Sequence, residues 1–147
     1  MAISKSQKKG IRIVVADDNK QMRDKVVQLL DPEYEVVGSA ADGKAALEIV
    51  KLLKPDIAVL DISMPILSGI EVAAEIERNG SDVKVVFLTV HSDPDYVKAA
   101  LNVGASGYVV KSQMAEDLSI ALSEACNDGI FISPDCEVRK ELNKTIS

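Results

Sequence analysis

The strongest constraint on the fold is an alternation between two kinds of segment along the chain. Five short runs are rich in valine and isoleucine, and most are too continuously apolar to have one face in water: residues 11–16, 35–40, 56–61, 83–90 and 106–111. Such runs are typical of β-strands that are buried on both faces. We therefore expect a sheet that is covered on both sides.

Five longer stretches with a helical spacing of apolar residues separate and follow these runs. They cover residues 19–31, 42–54, 68–80, 93–104 and 113–129. The order βαβαβαβαβα implies right-handed crossovers and a parallel sheet with helices on both faces. The sequence thus predicts an α/β, flavodoxin-like doubly wound (βα)5 fold, with a five-stranded parallel sheet in the order 2-1-3-4-5.

The composition fits one globular domain, since 47 % of the 147 residues are hydrophobic and 27 % are charged. We place this domain at residues 11–129. The segment MAISKSQKKG has basic residues but lacks the apolar stretch of a secretory signal, so residues 1–10 are expected to form a flexible arm. Residues 130–147 are more polar and are expected to be a C-terminal extension or linker.

Charge and cysteine content exclude several function classes. The net charge of -6 argues against direct nucleic acid binding by this chain, because phosphate contacts need a basic surface. No run approaches the ~18 apolar residues of a membrane helix, so no membrane partner is expected. Cys126 and Cys136 lack metal-type spacing and read as reduced thiols, which favours a cytoplasmic location.

Acidic and other polar residues fall where the predicted strands end. Asp17 and Asp18 follow the first strand, Asp61 ends the third, Thr89 lies near the end of the fourth and Lys111 ends the fifth. Ligands of doubly wound sheets bind at the carboxyl ends of the strands, so these side chains are expected to converge there. Taken singly, each has an ordinary explanation as a helix cap, a strand residue or a solvated lysine.

The convergence has a chemical logic. Three neighbouring carboxylates repel one another, and a hard divalent cation with oxygen ligands, Mg²⁺, relieves that repulsion. One carboxylate can then attack phosphorus and become an aspartyl-phosphate, while the cation and a lysine neutralise the charge on the phosphoryl oxygens. The pattern therefore points to a Mg²⁺ site for phosphoryl transfer.

The segments VVADDN, VLDISMPILSGIEV, VVFLTVH and GASGYVVK occur in the order and at the spacing of a known family. With them, residues 11–129 resemble the receiver domain of bacterial two-component response regulators. The ending GYVVKS, followed by a helix and GIFISP, resembles the LuxR-type (NarL/FixJ-type) subfamily. Its members usually carry a helix-turn-helix DNA-binding domain after a linker, and we expect this chain to be a receiver separated from such a domain.

The resemblance implies residue roles. Asp61 would be the phosphoacceptor, charged by a histidine kinase or a small phosphodonor. Asp18 and Asp61 would bind Mg²⁺ directly, the backbone carbonyl of Ser63 would be a third ligand, and Asp17 would act through a metal-bound water. Lys111 would pair with the phosphoryl group.

The resemblance also implies a switch. Thr89 would move to bond a phosphate oxygen and Tyr108 would follow it inward, whereas the ordinary alternative makes Tyr108 an exposed aromatic of an edge strand. Val90 stands where the family has a smaller residue and would narrow access to the phosphoryl group. His91, near the mouth of the site, would tune water access or be a plain loop histidine.

Two other departures from the family pattern concern local structure. Ser112 follows Lys111 where proline is common, so we expect a trans peptide bond or a reshaped loop. Ser68 replaces an acidic or amide residue and is expected to cap a helix.

The predicted function is a phosphorylation-dependent signalling switch that is not an enzyme, although it assists its own phosphorylation and dephosphorylation. It would act on its own or a separate effector domain, and a homodimer is an option that the family offers. The alternatives are a pseudo-receiver that binds partners without phosphorylation and an aspartyl-phosphate phosphohydrolase. The hydrolase is disfavoured because Ser63 occupies the place of its usual second aspartate.

Overall fold

The structure is a computed structural model that describes residues 10–30, 34–134 and 136. The strands are β1 (Arg12–Ala16), β2 (Glu35–Ala40), β3 (Ile57–Leu60), β4 (Lys84–Thr89), β5 (Gly107–Val110) and β6 (Phe131–Ile132). The helices are α1 (Lys20–Leu30), α2 (Gly43–Leu53), α3 (Gly69–Arg78), α4 (Pro94–Asn102) and α5 (Met114–Cys126). All but the last residue of the expected arm, and most of the expected extension, lie outside the described residues.

The strands form one sheet in the order β2-β1-β3-β4-β5-β6, and every neighbouring pair is parallel. The flavodoxin-like fold and the order of the five predicted strands are confirmed. All residues of β3 and β5 are buried, as their continuously apolar sequences predict.

The sixth strand corrects the prediction of a five-stranded sheet. Phe131 N donates to Ser106 O at 3.1 Å, and Ser133 N donates to Tyr108 O at 2.9 Å. Residues 131 and 132 therefore continue the sheet, although the sequence analysis placed them in an extension outside the domain. A strand of two residues is too short to show the alternation by which strands are recognised in a sequence.

Two buried clusters cover the faces of the sheet. The helices α1 and α5 pack on one face through residues such as Val26, Leu118 and Leu122. On the other face α2, α3 and α4 contribute Val50, Val72 and Val97. This arrangement leaves the carboxyl edge of the sheet open between the helix layers, where a ligand site of a doubly wound sheet forms.

Local signals at two loops follow the sequence predictions. Ser68 caps α3, since its Oγ accepts from Glu71 N at 3.1 Å while Glu71 Oε1 accepts from Ser68 N at 3.0 Å. The described residues contain no cis peptide bond, so the bond between Lys111 and Ser112 is trans.

Among the helices of the described residues, none has the length and apolar character needed to cross a membrane.

Candidate functional site

The ladder between neighbouring strands fixes the two buried acids of the site. Asp61 N donates to Ala16 O at 3.0 Å, and Asp17 N donates to Ala40 O at 3.1 Å. Asp61 is 6 % exposed and Asp17 is 3 % exposed. Both carboxylates are thus held on rigid backbone at the carboxyl edge of the sheet.

Asp18 completes an acidic group with these two residues. One carboxylate oxygen from each of Asp17, Asp18 and Asp61 lies within 4.8 Å of the others, and Asp18 is exposed while the other two are buried. The structure therefore brings together the three acids that the sequence predicted to converge.

Lys111 offsets part of this negative charge. Its Nζ lies 2.7 Å from Asp17 Oδ2 and 2.9 Å from Asp61 Oδ2. Burial by itself would lower the pKa of Lys111, but hydrogen bonds to Asp17 and Asp61 and their charges outweigh it, so the pKa is raised above its ordinary value. The ammonium is consequently a permanent cation of the site at neutral pH.

The remaining oxygen of Asp61 has no partner among the described residues. Asp61 Oδ1 is buried and accepts no hydrogen bond there, whereas Asp17 Oδ1 accepts from Asn19 N at 2.9 Å. A buried carboxylate oxygen without a donor is costly unless a ligand or ion satisfies it. An all-oxygen set of three carboxylates with this free acceptor fits a hard divalent cation such as Mg²⁺.

Asn19, rather than the neighbouring aspartates, caps the first helix. Asn19 Oδ1 accepts from Met22 N at 3.0 Å. The ordinary explanation of an aspartate cap therefore does not apply to Asp17 or Asp18, which are left to the acidic group.

The β4–α4 loop borders the site through a set of contacts centred on His91. His91 Nε2 and Ser63 Oγ share a hydrogen bond of 2.8 Å, and the imidazole stacks on Tyr96 with 4.1 Å between ring centroids. The loop after β3 and the loop after β4 are thereby joined at the mouth of the site. Val90 is 66 % exposed beside this contact.

Tyr108 is buried and connects the interior to the same loop. Its side chain is fully buried and its hydroxyl donates to His91 O at 2.7 Å. Burial, with Cys136 and Asp93 nearby, raises the pKa of Tyr108 well above its ordinary value, so the phenol remains a donor. The alternative of an exposed edge-strand aromatic is wrong, because β6 covers β5 and the ring faces the core.

Thr89 lies at the end of β4 with no exposed surface. Its Oγ1 accepts from His91 N at 3.4 Å, which is a weak contact. The hydroxyl is therefore lightly held at the position for which the family resemblance implies a phosphate-binding role.

Sequence reasoning missed two features, one at the mouth of the site and one outside it. Ser63 was predicted only for its carbonyl, while its hydroxyl binds His91 across 28 residues of sequence. Asp117 was also missed, although helical spacing offered a signal. It comes three residues after Met114 and one before Leu118, on the buried face of α5.

Comparison with known proteins identifies a family whose model covers most of this chain. Residues 13–123 match the response regulator receiver domain family. The chain is 38 % identical over 126 residues to the transcriptional regulatory protein DegU of Brevibacillus brevis. This alignment covers 84 % of this chain and 53 % of DegU. Across three curated transcriptional regulators, the chain spans 53 %, 64 % and 62 % of their lengths.

Two solved structures share the fold. The signal receiver domain of NarL from Mycobacterium tuberculosis is 36 % identical, with a TM-score of 0.75 over 79 % of this chain and 96 % of that one. A LuxR-family two-component response regulator from Aurantimonas is 29 % identical, with a TM-score of 0.84 over 91 % of this chain and 97 % of that one.

Proposed function

This chain belongs to the response regulator receiver domain family, and from that premise we propose that it is a Mg²⁺-dependent switch phosphorylated on Asp61. One observation carries the proposal. Asp61 Oδ1 is buried without a partner among the described residues, while Oδ2 is held by Lys111 at 2.9 Å. The carboxylate is thus oriented by one oxygen and keeps the other for the proposed cation.

The proposed Mg²⁺ ligands are Asp18, Asp61 and the backbone carbonyl of Ser63, with Asp17 acting through a bound water. Mg²⁺ would offset the negative charge of the carboxylates and of the phosphoryl oxygens. Asp17 suits an indirect role because Asn19 N and the Lys111 ammonium already occupy its two carboxylate oxygens.

Phosphoryl transfer then follows from the orientation of Asp61. A carboxylate oxygen of Asp61 attacks the phosphorus of a phosphohistidine on a histidine kinase, or of a small acyl phosphate. A new oxygen–phosphorus bond forms as the bond to the donor breaks. The donor keeps the electron pair of that bond and leaves as an imidazole that takes up a proton from water, or as a carboxylate. Lys111 remains beside Asp61 and stabilises the phosphoryl oxygens.

The switch is transmitted through the contacts around His91. The hydroxyl of Thr89 gives up its weak contact with His91 N and donates to a phosphoryl oxygen. His91 O also accepts from Tyr108, so the β4–α4 loop and the buried ring respond together. The surface formed by this loop and α4 then changes for an effector. Val90 and His91 border the same opening and would set how readily water reaches the phosphoryl group.

The output is proposed to be transcription regulation in the cytoplasm. The relatives DegU and NarL are transcriptional regulatory proteins that are longer than this chain. The effector would therefore be a DNA-binding domain joined to the receiver or a separate partner. The receiver itself would not contact nucleic acid, and a homodimer would be an additional state.

Intact-mass spectrometry tests the proposal. The chain is incubated with acetyl phosphate and Mg²⁺, and a single phosphoryl adduct is expected. Asp61→Asn should abolish the adduct, while the matched variant Asp117→Asn, which alters a carboxylate of similar burial outside the site, should retain it. Absence of any adduct would favour the pseudo-receiver, and rapid multiple turnover of acetyl phosphate would favour the phosphohydrolase.

A further inference from the structure

The loop between β3 and α3 contains a turn that isoleucine rarely adopts. Leu67 N donates to Pro65 O at 2.8 Å, which closes a three-residue γ-turn around Ile66, whose φ is +73°. A γ-turn with positive φ is rare and strained, above all for a β-branched residue. The side chain of Ile66 is 70 % exposed, so its burial does not compensate for the strain.

The first residue of α2 holds this turn in place. Gly43 N also donates to Pro65 O, at 3.2 Å. A Cβ atom on Gly43 would lie 1.9 Å from Leu67 O and 2.6 Å from the Leu67 carbonyl carbon. Because two backbones touch here, any larger residue at position 43 must push the loop away from α2.

The same loop is anchored close to the acidic group. Gly69 N donates to Ile62 O at 2.8 Å, and a Cβ on Gly69 would lie 2.1 Å from Asp61 O. Leu67 packs against the buried cluster on the α2 and α3 side, and Ser63 Oγ is bonded to His91. A strained backbone persists only where its surroundings over-determine it, and such strain collects at functional sites.

We propose that Gly43 and the turn at Ile66 are positioning elements that hold the carbonyl of Ser63 ready for the divalent cation of Asp18 and Asp61. This inference rests on the proposed function, since it presupposes the cation site. A loop whose shape is set before the cation arrives leaves little ordering cost for the binding step. If the turn were only a by-product of packing, changing it would alter stability and leave cation affinity untouched.

Two substitutions at Ile66 separate these accounts at one exposed position. Ile66→Gly permits the positive φ, whereas Ile66→Pro locks φ near -65° and abolishes the turn. The Mg²⁺ dissociation constant is measured from backbone amide chemical shifts, and the thermal midpoint is measured in parallel without Mg²⁺. We expect Ile66→Pro to weaken Mg²⁺ binding by about 10–100-fold, the usual effect of losing a group that orients a metal ligand.

Ile66→Gly should keep the Mg²⁺ affinity of the unaltered chain without lowering the thermal midpoint. Equal Mg²⁺ affinity in the glycine and proline variants would overturn the proposal, even if the proline variant were less stable. Ile130→Gly, another exposed isoleucine outside helices and strands, controls for the loss of an apolar side chain.

The contact between Gly43 and the turn at Ile66 is tested independently by Gly43→Ala. Gly10→Ala is the control because a Cβ on Gly10 meets nothing within 4 Å. Weaker Mg²⁺ binding in Gly43→Ala alone supports the proposal, and unchanged binding overturns it. If Gly43→Ala does not fold, the pair at Ile66 still decides. Should the unaltered chain bind Mg²⁺ without forming a phosphoryl adduct, the proposed function fails while the Mg²⁺ affinities still judge the positioning role. A chain that binds no Mg²⁺ overturns both.

Discussion

Two carboxylates of this chain, Asp61 and Asp117, are buried to nearly the same degree but stand in opposite surroundings. Asp61 is 6 % exposed and Asp117 is 7 % exposed. Asp117 Oδ2 accepts from Ser133 Oγ at 2.9 Å, and Ser133 Oγ in turn accepts from Val110 N at 3.1 Å. Asp61 Oδ2 is held by Lys111, yet its Oδ1 has no donor among the described residues.

The difference separates a satisfied hydrogen-bond network from one that leaves an acceptor unpaired among the described residues. The Asp117 network joins α5 to β5 and to the segment after β6, and a satisfied buried network of this kind fixes a structure. A buried acceptor left without a donor reduces stability and persists where function requires it. Burial by itself therefore does not distinguish these two acids, whereas the accounting of their hydrogen bonds does.

The largest loss of unfolding free energy is expected when the Lys111 ammonium, which lies between the two buried acids of the site, is removed. Lys111→Met leaves Asp17 and Asp61 buried without their ammonium, and breaking a buried pair in this way costs about 3–5 kcal/mol of unfolding free energy. Denaturant unfolding of Lys111→Met and of the unaltered chain, with and without Mg²⁺, measures this loss of unfolding free energy.

Mg²⁺ should recover part of the loss in Lys111→Met, because it offsets the same charges. The double variant Lys111→Met/Asp61→Asn should be more stable than Lys111→Met alone, since one of the uncompensated charges is gone. A loss that neither Mg²⁺ nor the second substitution reduces would contradict the electrostatic account of the site.

A smaller loss of unfolding free energy is expected when the hydrogen bond between Asp117 and Ser133 is removed. Asp117→Ala leaves the Ser133 hydroxyl without its acceptor and should lower the free energy of unfolding by about 1–3 kcal/mol. Phosphoryl adduct formation on Asp61 should be unaffected. The double variant Asp117→Ala/Ser133→Ala should cost less than the sum of the single changes because the residues share one network. Loss of the adduct in Asp117→Ala would show that the two networks are not separate.

Tyr108 lies between the two networks and gives the smallest predicted effect. Its hydroxyl donates to His91 O, and its backbone oxygen accepts from Ser133 N. Tyr108→Phe should cost about 0.5–1.5 kcal/mol by removing the hydroxyl hydrogen bond.

The pKa of Tyr108 also predicts a pH dependence. Burial raises this pKa above the ordinary value of 10.0, so the folded state favours the neutral phenol. The contribution of the neutral phenol to the free energy of unfolding is complete below pH 10.0 and declines as the pH rises through the raised pKa of Tyr108. Unfolding free energies of the unaltered chain and of Tyr108→Phe should therefore converge at alkaline pH. A constant difference between them would contradict the burial of the phenol.

Much of the candidate site was open to prediction because it depends on topology. Asp17, Asp61 and Lys111 each sit where an apolar strand ends, and parallel strands end at one edge of a sheet. Ser68 was recognisable as a cap because capping is a local pattern. The bond between Ser63 and His91 was not, since it joins residues 28 positions apart through side chains that have ordinary local roles.

The sequence by itself determined the order of the first five strands and the five helices, the edge where the acids meet and the identity of the acid that follows β3, because these follow from periodicity and chain order. Only the tertiary structure decided which oxygen of Asp61 lacks a donor among the described residues, that β6 extends the sheet beside Tyr108, and that Gly43 holds Ile66 in a strained turn. Those features arise from close approach between segments distant along the chain. Such contacts depend on distances of a few ångströms that no local pattern encodes.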